Sequence, residues 1–198
     1  MFVKVCGLST PESVQAAVES GADAVGFVLT KSPREVSAEQ ATHLLKGVPE
    51  GVSAVGVFRH EPAAEAIATA RDAGLEWIQL HGRRTREDVK TVHDAGMRLI
   101  RAVTMGSAPE EFEDWGEELL LIDAAVPGSG ESWDYSSVRN LGLGARRWLL
   151  AGGLTPSNVG TATAEAQAWG VDVSSGVESS RGVKDLNLVR SFVEAAKA

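Results

Sequence analysis

Trp169-Gly170-Val171-Asp172-Val173-Ser174-Ser175-Gly176 leads from the end of a helical pattern, through a glycine, into a short apolar strand that stops at a glycine-bearing turn. The same order of helix end, glycine and strand recurs at Ser20-Gly21-Ala22-Asp23, Ala73-Gly74-Leu75-Glu76 and Ala95-Gly96-Met97-Arg98. In each, the glycine stands where a left-handed helix cap is wanted, shortly before a strand. The result is a weak internal repeat of roughly 20–25 residues, one strand and one helix per unit.

Working outward from that stretch, runs rich in Val, Ile and Leu predict strands at Val3–Cys6, Ala24–Leu29, Ser53–Phe58, Trp77–Leu80, Leu99–Val103, Leu119–Ile122, Trp148–Leu150 and Val171–Val173. They are nearly continuous rather than alternating, as strands covered on both faces are. Helical spacing predicts helices over Pro11–Ser20, Ser37–Lys46, Pro62–Ala73, Thr85–Ala95, Pro156–Trp169 and Leu186–Ala196. Weaker helices are expected at Pro109–Trp115 and Ser136–Leu141. Ser37-Ala38-Glu39-Gln40 reads as a capping box, and Thr10-Pro11 and Thr155-Pro156 each set a cap residue before a proline at the first helical position. Eight parallel strand–helix units predict an α/β fold, a single-domain (β/α)8 TIM barrel over residues 1–198, with a doubly wound open sheet as the alternative.

A chain of 198 residues with 43% hydrophobic content is long enough for one domain with a sizeable core. Its net charge of −8, with no basic run longer than Arg83-Arg84 or Arg146-Arg147, argues against a nucleic-acid partner. The amino terminus lacks the charged start and long apolar core of a signal peptide, and no apolar run is long enough to span a bilayer. The expectation is a cytoplasmic protein, monomer or homodimer, with no membrane partner. One cysteine excludes an internal disulfide, and the four histidines lack zinc-like spacing, so no metal and no cofactor is expected.

In a barrel, the active face lies at the carboxyl ends of the strands. Cys6 ends the first strand and is followed by Gly7, which can open a turn. A thiol there is placed to meet a ligand, although a lone cysteine also packs well as a small apolar group. Asp123 ends the sixth strand, where it either caps the next turn or supplies a proton. Across a barrel mouth the two make an acid/base pair suited to an isomerisation without a redox cofactor. Gly152 and Gly153 follow strand seven, and Ser174, Ser175 and Gly176 follow strand eight. These are the two loops where barrels bind phosphate through backbone N–H groups. Arg34, in Lys31-Ser32-Pro33-Arg34, is either a bidentate carboxylate clamp or a solvated loop charge. His81, in Gln79-Leu80-His81-Gly82, either contacts a substrate or satisfies a neighbouring backbone carbonyl.

Several stretches resemble phosphoribosylanthranilate isomerases: Lys4-Val5-Cys6-Gly7-Leu8, Gly21 to Phe27, Ser32-Pro33-Arg34, Val55 to Phe58, Gln79 to Gly82, Leu121-Ile122-Asp123, Ala151 to Leu154 with Asn158-Val159, and Gly170 to Glu178 followed by Gly182, Lys184 and Asp185. They run in order over almost the whole chain. The resemblance implies a (β/α)8 barrel that converts N-(5'-phosphoribosyl)anthranilate to 1-(2-carboxyphenylamino)-1-deoxyribulose 5-phosphate by an Amadori rearrangement in tryptophan biosynthesis. It implies Asp123 as general acid, Cys6 as general base, Arg34 on the anthranilate carboxylate, the two glycine loops on the phosphate and Asp172 on sugar hydroxyls of a small phosphosugar substrate. The segment Pro127-Gly128-Ser129-Gly130-Glu131-Ser132-Trp133-Asp134-Tyr135 departs from the family, with Glu131 where lysine is common. Two other readings remain: a related or bifunctional histidine-pathway isomerase, which would carry an aspartate at Cys6, and a non-catalytic phosphosugar-binding barrel.

Overall fold

The computed structural model describes residues 1–125 and 132–198. Eight strands, β1 (Phe2–Cys6), β2 (Ala24–Val28), β3 (Ser53–Phe58), β4 (Trp77–Leu80), β5 (Arg98–Thr104), β6 (Leu119–Asp123), β7 (Trp148–Leu150) and β8 (Gly170–Val173), pair in sequence order. Parallel pairing of β1 with β8, in register Lys4 with Asp172 and Val5 with Val173, closes the barrel. A short hairpin, β9 (Glu178–Ser180) with β10 (Val183–Lys184), follows β8.

The continuous apolar runs reflect two packed surfaces. Val3, Val25, Phe27, Ile78, Leu120, Ile122 and Val171 point outward and are buried beneath the helices. Ala24, Val55, Ile100, Leu119, Leu121 and Leu149 fill the barrel interior. Side chains alternate along a strand, so the inward set on β1 is Phe2, Lys4 and Cys6, and on β6 it ends at Asp123.

The outer layer consists of α1 (Pro11–Glu19), α2 (Ala38–Leu45), α3 (Ala63–Asp72), α4 (Arg86–Asp94), α5 (Val159–Ala166) and α6 (Leu186–Lys197). Thr10 caps α1 ahead of Pro11, and Ser37 and Gln40 form the expected reciprocal box on α2. Gly21, Gly74 and Gly96 adopt the left-handed conformation expected of them.

Three local expectations are corrected. Gly170 is not a cap: it lies inside β8, where a Cβ would come within 2.7 Å of Phe2 O and of the Leu149 side chain. The left-handed position after α5 falls to Gln167, at φ 55°. Pro156 does not start α5 either: Asn158 is the N-cap, because its Oδ1 accepts from Thr155 N at 2.7 Å and holds residues 155–158 as a turn. The segments after β5 and β6 are 3-10 turns, Pro109–Phe112 and Tyr135–Leu141, rather than α-helices.

After β5 a buried charge cluster takes the place of a full helix. Arg101 points outward and is almost fully buried; it donates to the carbonyls of Glu111 and Glu113 and to Glu117 Oε1, and lies 4.1 Å over the Trp115 ring. Arg146 joins it on Glu117 Oε1 at 2.5 Å.

Candidate active site

Cys6, Arg34, His81, Asp123, Asp172 and Ser174 line one cavity of about 280 Å³ at the carboxyl end of the barrel. A neighbouring pocket of about 60 Å³ is formed by Gly152, Gly153, Ser174, Ser175 and Gly176. Asp123, Asp172 and Ser174 border both, so the two spaces adjoin. The residues read from the sequence as an acid/base pair, a carboxylate clamp and a phosphate site are therefore brought to one place, together with His81 and Asp172.

The smaller pocket owes its shape to close backbone approach. A Cβ on Gly176 would fall 1.7 Å from Leu154 O, so the loops after β7 and β8 pack directly against each other. Gly152, at φ +83°, lies against the acid: a Cβ there would sit 2.8 Å from Asp123 Oδ1. Asn158 Nδ2 donates to Gly153 O at 2.9 Å, and Tyr135 Oη donates to Gly152 O at 3.1 Å, which pins the first loop by its carbonyls. The Gly152, Gly153 and Ser175 N–H groups have no hydrogen-bond partner among the described residues. A tetrahedral anion accepting from such N–H groups satisfies both loops at once.

Burial sets the proton state of the larger cavity. Asp123 is held up to about 6 by burial, partly offset by the hydrogen bond that its Oδ1 accepts from Ala124 N at 2.8 Å. A carboxyl there retains a proton far more readily than an exposed aspartate. Burial also pushes the Cys6 thiol up, opposed by the Lys4 ammonium. His81 is pulled down to about 3 by burial and by Lys4, Arg59 and Arg84, so its ring is neutral. Its Nε2 meets Gln79 Nε2 at 2.6 Å, a side-chain partner rather than a backbone carbonyl.

Arg34 is not a free loop charge. It grips Glu178 through Nε at 2.6 Å and Nη2 at 3.0 Å, and Lys184 Nζ reaches the same carboxylate at 2.9 Å. Burial alone would raise Glu178, but Arg34, the Gly182 N–H and Lys184 outweigh it and hold the carboxyl at about 2. Arg34 Nη1 makes no protein hydrogen bond among the described residues and remains available on the cavity wall.

Sequence reasoning passed over Lys4, Glu178 and Lys184 as site residues. Lys4 carried a signal, since it lies two positions before Cys6 and so shares its face of β1. Glu178 and Lys184 carried only their place in the family-like stretch. Glu131 falls outside the described residues. Among the described residues, no group of three or more His, Cys, Asp or Glu is gathered as a metal site.

The profile of the family described as N-(5'phosphoribosyl)anthranilate (PRA) isomerase matches residues 3–195. The chain belongs to this family. It is 42% identical to N-(5'-phosphoribosyl)anthranilate isomerase of Streptococcus mutans over 195 residues, 98% of either chain. The crystal structure of TrpF from Jonesia denitrificans is 40% identical with a TM-score of 0.88, covering 100% of this chain and 97% of that one. Phosphoribosyl anthranilate isomerase from Thermus thermophilus superposes with a TM-score of 0.91 at 33% identity, covering 100% and 98%. A further solved isomerase, 34% identical, with a TM-score of 0.87 and the same coverage, is in complex with reduced 1-(o-carboxyphenylamino)-1-deoxyribulose 5-phosphate. Like its family, this isomerase is a closed eight-stranded barrel, and no helix among its described residues is long and apolar enough to cross a membrane.

Proposed function

We propose that Cys6 and Asp123 are the base and the acid of an Amadori rearrangement that isomerises N-(5'-phosphoribosyl)anthranilate to 1-(2-carboxyphenylamino)-1-deoxyribulose 5-phosphate, the family's step in tryptophan biosynthesis. The observation that carries this reading is a buried thiol and a buried, readily protonated carboxyl lining one cavity beside an anion pocket.

The chemistry needs two proton movements. Asp123 gives its proton to the ribose ring oxygen as the C1–O bond breaks, and the anilino nitrogen lone pair forms the C1=N bond of an iminium. The Cys6 thiolate then takes the proton on C2. The C2–H electron pair becomes the C1=C2 bond of an enolamine, the C1=N electrons return to nitrogen, and tautomerisation gives the ketone. The low basicity of an ether oxygen explains why the acid should be an aspartate held up to about 6.

Binding divides over the rest of the mouth. The N–H groups of Gly152, Gly153 and Ser175 receive the phosphate, with Ser174 and Gly176 completing that pocket. Arg34, oriented by Glu178, turns Nη1 to the anthranilate carboxylate. Asp172, whose Oδ1 is held by Lys4, meets the sugar hydroxyls, and neutral His81 contributes to the wall. All these contacts come from one chain, so either a monomer or a homodimer accommodates the reaction.

Loss of phosphoribosylanthranilate fluorescence on adding the purified protein tests the reading, with the histidine-pathway substrate assayed in parallel. Turnover of the first substrate is expected, and Cys6→Ala should lower it at least about a hundredfold. Turnover of only the second, or an unimpaired Cys6→Ala variant, would contradict it.

A further inference from the structure

Lys4 lies on the inward face of β1, two residues before Cys6, and is fully buried. Its Nζ donates to Asp172 Oδ1 at 2.9 Å across the β1–β8 seam. On the opposite side, β2 presents Gly26, the register partner of Cys6. A Cβ at Gly26 would stand 2.8 Å from Cys6 Sγ and 3.2 Å from Lys4 Nζ. The thiol and the ammonium therefore border one gap that only glycine leaves open.

A buried ammonium is costly unless it is paired. Asp172 takes one of its three N–H donors, and no oxygen among the described residues takes the other two. The acid and base steps make no use of Lys4. Across the Gly26 gap, the Cys6 sulfur is the atom nearest the position of a Gly26 Cβ and shares that gap with the ammonium.

We propose that Lys4 is a positioning residue for the isomerisation: its ammonium, anchored by Asp172, offsets part of the cost of burying the Cys6 thiolate that takes the substrate C2 proton. The proposal rests on Cys6 being the base. Lys4 keeps its own proton throughout. When Sγ takes the C2 proton and the C2–H electrons move into C1=C2, the ammonium is left facing a neutral thiol, and no other proton moves.

Burial leaves the Cys6 thiol raised overall, and the charges around it divide. Burial acts against the Cys6 thiolate, Lys4 is the largest effect favouring it, Asp172 from β8 opposes it and Lys184 from β10 assists. Burial would strip the proton from Lys4, but Asp172 and Cys6 outweigh it, and the ammonium is raised. The other titratable groups lining the cavity are Asp123 from β6, the neutral ring of His81 after β4, Lys31 and Arg34 after β2, Arg59 after β3 and Arg181 between β9 and β10.

Cys6 is the chain's one cysteine, so the pH dependence of iodoacetamide alkylation reads its thiolate without any substrate. Lys4→Met fills the same space without charge and should move the alkylation midpoint up by about one pH unit or more. Lys4→Gln keeps a donor for Asp172 without the charge and should also move it up, whereas Lys4→Arg keeps the charge and should leave it within about half a pH unit. A lysine that merely fills the barrel floor predicts no difference between the neutral variants and Lys4→Arg. In Lys4→Met, kcat near neutral pH should fall at least about tenfold, in step with the lost thiolate, and recover as the pH approaches the new midpoint, with KM little changed. If Lys4→Met does not fold, the upward shift in Lys4→Gln decides alone. Unmoved midpoints in Lys4→Met and Lys4→Gln, or an equal upward shift in Lys4→Arg, overturn the proposal. Wild-type turnover by Cys6→Ala defeats the base reading itself, whereas unmoved midpoints beside an inactive Cys6→Ala defeat only the role given to Lys4.

Discussion

Arg34, in the loop after β2, and Glu178, at the start of β9, are joined by two parallel hydrogen bonds of 2.6 and 3.0 Å. The pair ties the loop after β2 to the hairpin after β8 and leaves Nη1, without a protein partner among the described residues, for the anthranilate carboxylate proposed above. A lysine has no planar fork and cannot serve both carboxylates in this geometry. Arg34→Lys is therefore expected to raise KM for phosphoribosylanthranilate at least about tenfold, the scale of one lost charge-assisted hydrogen bond. Steady-state kinetics would read it, and an unchanged KM would remove Arg34 from substrate binding.

The anion pocket depends on Gly176, whose Cβ would overlap Leu154 O at 1.7 Å. Gly176→Ala must separate the loops after β7 and β8. It should weaken competitive inhibition by inorganic phosphate and raise KM, both by about tenfold or more, with a smaller effect on kcat. Retained phosphate inhibition in a folded variant would show that these loops do not bind the phosphate.

Glu117 is a side chain of no catalytic interest that carries two arginines. Its carboxylate is fully buried between Arg101 and Arg146. Glu117→Gln leaves the Arg101 charge buried without its partner, which costs about 3–5 kcal/mol. Urea unfolding should show that loss with an unchanged m-value, while a change below about 1 kcal/mol would mean that the carbonyls of Glu111 and Glu113 suffice for Arg101.

The position of these arginines explains part of what the sequence did and did not reveal. Strand ends and the turns after them were legible, because Cys6, Asp123, Gly152 and Ser174 each follow an apolar residue directly at a strand's end and barrel geometry does the rest. The segment after β5 was not: its order comes from Arg101 reaching carbonyls 10 and 12 residues away, which no helical period records. Gly170 and Gly21 stand in the same sequence context, yet Gly170 is required for close packing against Phe2 rather than for a positive φ. Arg34 was ambiguous for a related reason, since Glu178 lies 144 positions away in the chain.

Asp123 links the site to stability. Its carboxyl is raised from 3.8 to about 6 by burial, so the folded state holds the proton more tightly than the unfolded chain does. That contribution is full below about pH 3.8 and is lost as the pH rises through about 6. Asp123→Asn keeps an acceptor for Ala124 N and never ionises. It should match the native protein at pH 3 and exceed it by up to about 3 kcal/mol at pH 8. Thermal unfolding at the two pH values tests this, and an equal difference at both would place the Asp123 carboxyl in a solvated setting.

The most direct test of the acid/base assignment uses the same variant: kcat of Asp123→Asn, measured with its affinity for the reduced product analogue. The account predicts a kcat lowered at least about a hundredfold with analogue affinity nearly unchanged, because the shape and the turn cap survive and only the transferable proton is gone. A near-normal kcat would contradict it and leave Asp123 as a capping carboxylate.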